Sequence, residues 1–116
     1  MFLDFFISVW HEHLTADAIV WNNEAYSYEW LLNRVGFWLE WLITEGVESG
    51  QVVVIQGDFS PNSIALLFTL VKRGCIVIPL SRRHPHQAQL IQTAEAEVSI
   101  EISGDDAASM LSLIHI

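Results

Sequence analysis

Positive charge is scarce in this chain. Its 116 residues hold 5 Lys+Arg against 14 Asp+Glu, a formal charge of -9. A nucleic-acid partner requires a basic surface to displace counterions from phosphate, and attraction to an anionic membrane surface requires the same. Both partner classes are excluded on this ground. Cysteine is scarcer still: Cys75 stands alone, so there is no intrachain disulfide, and a reducing, cytoplasmic setting is expected. Long apolar runs are missing too. The run over residues 64–68 meets Thr69, with Lys72 and Arg73 close behind, far short of the ~20 residues of a membrane-spanning helix. Residues 1–10 are apolar, and Ala16-Asp17-Ala18 resembles a small-residue cleavage site. Yet no Lys or Arg precedes that stretch, Asp4 interrupts it and His11-Glu12-His13 follows, so it is not read as a secretory signal. The chain has no internal repeat, no low-complexity tract, no G-x-G-x-x-G and no G-x-x-x-x-G-K-[ST].

What is present is enough apolar surface for one core. Hydrophobic residues make up 52% of the chain, and the length suits one domain. Phe2, Phe5, Phe6, Val9 and Trp10 recur at helical spacing, which predicts a helix over residues 2–13. Two strand-like runs, 18–21 and 25–28, flank Asn22-Asn23-Glu24 and predict a small hairpin, because Asn tolerates left-handed backbone angles. Ser27 is placed to cap a long helix that Gly46 ends. Its stripe is Leu31, Leu32, Val35, Trp38, Leu39, Leu42 and Ile43. Trp30, Phe37 and Trp41 widen its apolar surface, so something large is expected against it, namely the remainder of a longer chain.

The β-branched run over 52–55 predicts a strand buried on both faces. Gly57-Asp58-Phe59-Ser60 follows as a loop, and Ser60 with Pro61 opens a helix whose buried face is read as Ile64, Leu67, Phe68 and Val71. Gly74 stops that helix. Residues 75–80 predict a second buried strand, residues 86–96 a helix with Ala88, Ile91 and Ala94 inward, and Val98, Ile100 and Ile102 a half-buried strand. Strand, helix, strand, helix, strand at this spacing builds parallel βαβ units. The expected fold is α/β: a three-layer parallel sheet preceded by a helix and a small β-hairpin. Ligands of such sheets sit beyond the carboxyl ends of the strands, which carry the loops 57–61 and 81–85.

The last six residues are set apart. Leu111-Ser112-Leu113-Ile114-His115-Ile116 is what CTG TCT CTT ATA CAC ATC encodes, the transposon end carried by sequencing-library adaptors. Read purely as protein, they are a short apolar tail that packs as a terminal strand. The adaptor origin is the reading adopted, and it makes the chain the N-terminal piece of a longer one.

The residues spell little chemistry. Asp58 makes the 57–60 loop a poor phosphate cradle, since a carboxylate repels the ligand. His11 and His13 point about 200° apart on a helix and cannot share a metal. His84-Pro85-His86 adds two imidazoles, but no Cys or carboxylate pattern completes a tetrahedral set. Arg82 and Arg83 are adjacent cations on a ligand-side loop, read as solvated charges before an anion site. Cys75, inside an apolar strand, is read as a protonated, inert thiol. No catalytic, cofactor-binding or metal-binding residue is assigned.

An ordered series of segments carries more. It runs Ala18-Ile19-Val20-Trp21, Tyr26-Ser27-Tyr28-Glu29-Trp30-Leu31, Gly46-Val47-Glu48-Ser49-Gly50-Gln51-Val52-Val53-Val54, Asn62-Ser63-Ile64-Ala65-Leu66-Leu67 and Arg73-Gly74-Cys75-Ile76-Val77-Ile78-Pro79-Leu80. Over residues 7–102 this resembles the N-terminal part of the adenylate-forming enzymes, the AMP-binding superfamily of acyl-CoA synthetases, luciferases and peptide-synthetase adenylation domains. Gln51 departs from the family's usual Asp, and Arg73 from the Ala that commonly precedes the Gly. The resemblance implies that residues 1–110 are a partial N-terminal subdomain of an AMP-binding domain. For the parent it implies ATP and Mg2+, a carboxylic acid activated to an acyl-adenylate, and transfer to a thiol of CoA or a carrier protein. The family's phosphate loop and its Lys, its adenine- and ribose-binding residues and its C-terminal lysine fall beyond this chain, so the fragment itself is expected to be inactive. The rival reading is a stand-alone flavodoxin-like or receiver-like binding domain. Asp58 is the only candidate for a receiver's aspartate, no acidic pair precedes it, and Asp105-Asp106 comes too late.

Overall fold

A two-residue turn sets the first unit. In the computed structural model, which describes residues 2–80, 87–102 and 112–116, β1 (Asp17–Trp21) and β2 (Glu24–Ser27) pair antiparallel with Trp21 opposite Glu24. Asn22 and Asn23 take φ of 51° and 64°, the left-handed pair such a turn demands. The chain then enters α2 (Tyr28–Thr44), where the Ser27 hydroxyl accepts the Trp30 N–H at 3.1 Å. Gly46, at φ +79°, ends it. The preceding α1 (Phe2–His11) lies against α2 and α3 (Pro61–Arg73).

Among the described residues the main sheet has four strands in the order β4-β3-β5-β6. These are β3 (Val52–Gln56), β4 (Ile76–Leu80), β5 (Val98–Glu101) and β6 (Ser112–His115). β3 pairs parallel with β4 and with β5, and β6 runs antiparallel to β5. The second crossover carries α4 (Gln87–Thr93) and travels the sheet in the opposite direction to the first. Right-handed crossovers therefore put α3 and α4 on opposite faces. Val53 and Ile55 join Val98 and Ile100 in one core with Leu31, Val35, Trp38, Leu42, Ala65, Leu66 and Leu70. Val54 alternates to the other face and is fully buried as well. The α/β architecture with its helix and hairpin in front is as expected, with β6 making the sheet mixed.

Several expectations on faces need correction. Among the described residues β4 is an edge strand, with Ile76 58% exposed, and β3 alone is buried on both faces. Pro79, which lacks an N–H, sits in that edge. The buried face of α3 is Asn62, Ser63, Ala65, Leu66, Thr69 and Leu70, while Ile64, Leu67 and Phe68 are half-buried and Val71 is exposed. α2 packs along α3, and the side turned inward mixes small and polar residues with Leu66 and Leu70. Thr69 remains satisfied there by donating to the Ala65 carbonyl at 2.6 Å. In α1 the buried residues are Leu3 and Trp10, with Phe5 and Phe6 exposed. The inner face follows Leu3, half-buried Ile7 and Trp10, at spacings of four and three. Ile43 of α2 and Ala88 of α4 are exposed too. Ser60 takes the N-cap position of α3, but its hydroxyl makes no cap bond.

Candidate functional site

Parallel strands open their carboxyl ends on one edge, and there the chain leaves a cavity. β3 hands over to Gly57, whose N–H donates to the Leu80 carbonyl at 3.1 Å and ties the ends of β3 and β4 together. A side chain at Gly57 would place its Cβ 3.3 Å from the Ile102 carbonyl oxygen, close enough that the backbone after β5 would have to shift slightly to admit it. The loop then folds tightly, Ser60 N–H donating to the Asp58 carbonyl at 2.8 Å, and α3 starts at Pro61. Between these pieces lies a cavity of about 130 Å³ lined by Ile55, Gly57, Asp58, Phe59, Ser63, Leu67, Pro79 and Leu80. Its walls are apolar; Asp58 and the buried Ser63 supply the polar groups. Such a lining suits an apolar group bearing a hydrogen-bond donor, and a carboxylate at the mouth disfavours phosphate.

The residues weighed from sequence fall in different places. Asp58 lines the cavity. His11 ends α1 and His13 lies just after it, both exposed, and among the described residues no group of three His, Cys, Asp or Glu side chains is placed to hold a metal. Arg82, Arg83, His84, His86, Asp105 and Asp106 lie outside the described residues. Cys75 precedes β4 rather than sitting inside it, and is half-buried. Its thiol donates to the Glu48 carbonyl at 3.5 Å. Burial pushes the thiol's pKa up, and the nearby Arg73 charge offsets part of the rise, so the thiol stays protonated at neutral pH. Ile55, Ser63 and Leu67 were not foreseen as lining residues. Ser63 carries the one available signal, since it lies on the first turn of a helix that opens at the ligand edge.

Residues 8–114 match the family model for AMP-binding enzyme. The chain belongs to that family. Among curated proteins it is similar to novobiocin biosynthesis protein H of Streptomyces niveus, 27% identical over 97 residues, covering 84% of this chain and 16% of that protein. It is also similar to nonribosomal peptide synthetase 2 of Gibberella zeae, 30% identical over 95 residues, 79% of this chain and 2% of that protein. Among solved structures, Klebsiella oxytoca NpsA in complex with 3-hydroxyanthranilyl-AMSN shares the fold at a TM-score of 0.80 and 20% identity, covering 93% of this chain and 22% of that one. This AMP-binding chain thus spans under a quarter of each. With Asp58 at its mouth and Pro61 offering no N–H at the start of α3, the 57–61 loop is a poor cradle for phosphate.

Proposed function

We propose that this chain is the N-terminal scaffold of a longer AMP-dependent ligase. In that enzyme a carboxylic acid attacks the α-phosphate of ATP, with Mg2+, to give an acyl-adenylate and pyrophosphate. A thiol, of CoA or of a carrier protein's phosphopantetheine, then takes the acyl group. Residues 1–110 supply part of the first subdomain, residues 111–116 are adaptor-encoded, and the setting is cytoplasmic. The fragment alone does not turn over. The family match over residues 8–114 carries this reading, and the chain's span of under a quarter of its relatives supports the inactivity. The similarity to a nonribosomal peptide synthetase favours a carrier protein as acceptor.

The test has two parts. Sequencing the source locus across the codons for residues 111–116 is expected to depart from the adaptor string and continue in frame. The longer product is expected to exchange pyrophosphate into ATP in the presence of its carboxylic acid, and the 116-residue chain to show none. Carboxylate-dependent pyrophosphate release by the purified fragment overturns the scaffold reading. A genomic stop after Ile116 overturns the truncation and leaves a short AMP-binding-family chain whose role has to be sought in binding.

A further inference from the structure

β6 holds its place in the sheet by backbone more than by side chains. It runs antiparallel along the outer side of β5, from Val98 opposite His115 to Glu101 opposite Ser112. The Ile116 N–H extends the ladder, donating to the Glu97 carbonyl at 2.9 Å. Directly opposed residues share one face of a sheet, so Leu113 and His115 lie beside Ile100 and Val98, which are fully buried. Leu113 packs against that core and is half-buried. His115 is exposed, and its Nε2 lies 2.7 Å from the carbonyl oxygen of Glu45 at the end of α2. On the other face Ile114 is 61% exposed, and Ile116 67%. A strand shaped for this position would bury its apolar side chains, as β5 does at Val98 and Ile100. β6 instead leaves both isoleucines in water and sets an imidazole on the core side. Its direction has a simple cause. Residues 102–111 alone link it to β5, fewer than the dozen or more that a parallel neighbour requires.

We propose, on the reading that residues 111–116 are adaptor-encoded, that the outer edge of β5 is the joint at which the longer chain continues this sheet, and that β6 is a stand-in there. The occupant is a strand encoded beyond residue 110. It is apolar at both positions on the α2 side, opposite Ile100 and Val98. The edge accepts a strand with poorly matched side chains because backbone pairing asks only for N–H and C=O groups in register. A better-matched strand adds the burial that β6 forgoes at His115.

Sequencing the locus beyond the codon for residue 110 comes first. If it encodes Leu-Ser-Leu-Ile-His-Ile, the adaptor reading fails and the stand-in with it, before any binding is measured. Otherwise the probe is a dye-labelled peptide of the first alternating strand encoded there, five or six residues long, followed by fluorescence anisotropy. The acceptor is the full chain carrying Ile114→Pro. Polar groups alternate sides along a strand, so the Ile114 N–H faces β5 as that of Ile116 does, and proline removes it. The tethered tail of the unsubstituted chain competes at an effective concentration of about millimolar. The peptide is therefore expected to bind the Ile114→Pro chain about tenfold or more tighter, and a scrambled peptide to bind neither. Equal binding to the two chains overturns the proposal, as does no binding to a variant that keeps its circular dichroism. A dimer of the Ile114→Pro chain in sedimentation equilibrium overturns it too, giving the edge to a second copy. If that variant unfolds, His115→Val decides. It should raise the urea midpoint of the full chain, and an unchanged or lower midpoint overturns the proposal.

Discussion

β3 and β4 are neighbouring five-residue strands of nearly the same apolar composition, paired in parallel register from Val52 opposite Ile76 to Gln56 opposite Leu80. Their surroundings differ completely. β3 has a strand on each side and keeps Val53, Val54 and Ile55 out of solvent. Among the described residues β4 has one neighbour, and it leaves Ile76 in water. Apolar content alone thus says little about what a residue contributes. The hydrophobic gain follows the area actually removed from water, and position in the sheet decides that area.

Paired substitutions sharpen the contrast. Ile55→Ala is expected to cost about 3–4 kcal/mol in urea unfolding, for lost burial plus the space left behind, and Ile76→Ala less than about 1 kcal/mol. Equal losses at the two sites would break the comparison. The carboxyl end of β3 is hemmed in by β5, so Gly57→Ala, whose Cβ meets the Ile102 backbone, should cost about 1–2 kcal/mol, measured the same way. At the other end, the Val52 N–H is held by the Glu97 carboxylate at 2.9 Å, an exposed contact. Glu97→Ala should therefore cost only about 0.5–1 kcal/mol. The smallest perturbation is chemical labelling at the start of β4. With its pKa raised, Cys75 should alkylate more slowly than free cysteine at neutral pH, and its rate should keep rising above the ordinary cysteine range. Being half-buried, it should react without global unfolding. A cysteine introduced by Val54→Cys in a Cys75→Ser background should react only through global unfolding.

Where a single residue type has to satisfy a backbone angle, the sequence was legible. Asn22 and Asn23 announced the hairpin, and Gly46 and Gly74, at φ +79° and +86°, marked two helix ends. The alternation of Val98, Ile100 and Ile102 was legible for the same kind of reason, since a strand with one apolar face repeats every two residues. Edge and centre could not be told apart in the runs 52–55 and 76–80, because both read as continuous apolar strands; Pro79 was the only residue that distinguished them. The face of α3 was hidden because Asn62, Ser63, Ala65 and Thr69 share it with Leu66 and Leu70, so it does not stand out as an apolar stripe. At the site, the loop 57–61 was placed at the ligand edge by topology alone. The cavity was not, because Ile55, Leu67 and Leu80 reach it from three separate elements.

Pro79 has one further consequence. The Ile76 N–H reaches the Gln51 carbonyl at 2.9 Å, and the Leu80 carbonyl accepts from Gly57. Polar groups alternate sides along a strand, so Ile76, Ile78 and Leu80 spend theirs on β3, and Val77 and Pro79 turn outward. Of those two outward positions only Val77 carries an amide hydrogen. A strand from another molecule, sliding alongside, would find one donor where an unprotected edge offers two. Templated stacking of copies, the first step toward fibrils, is thereby discouraged on this side of the sheet by one ring closed on its own nitrogen.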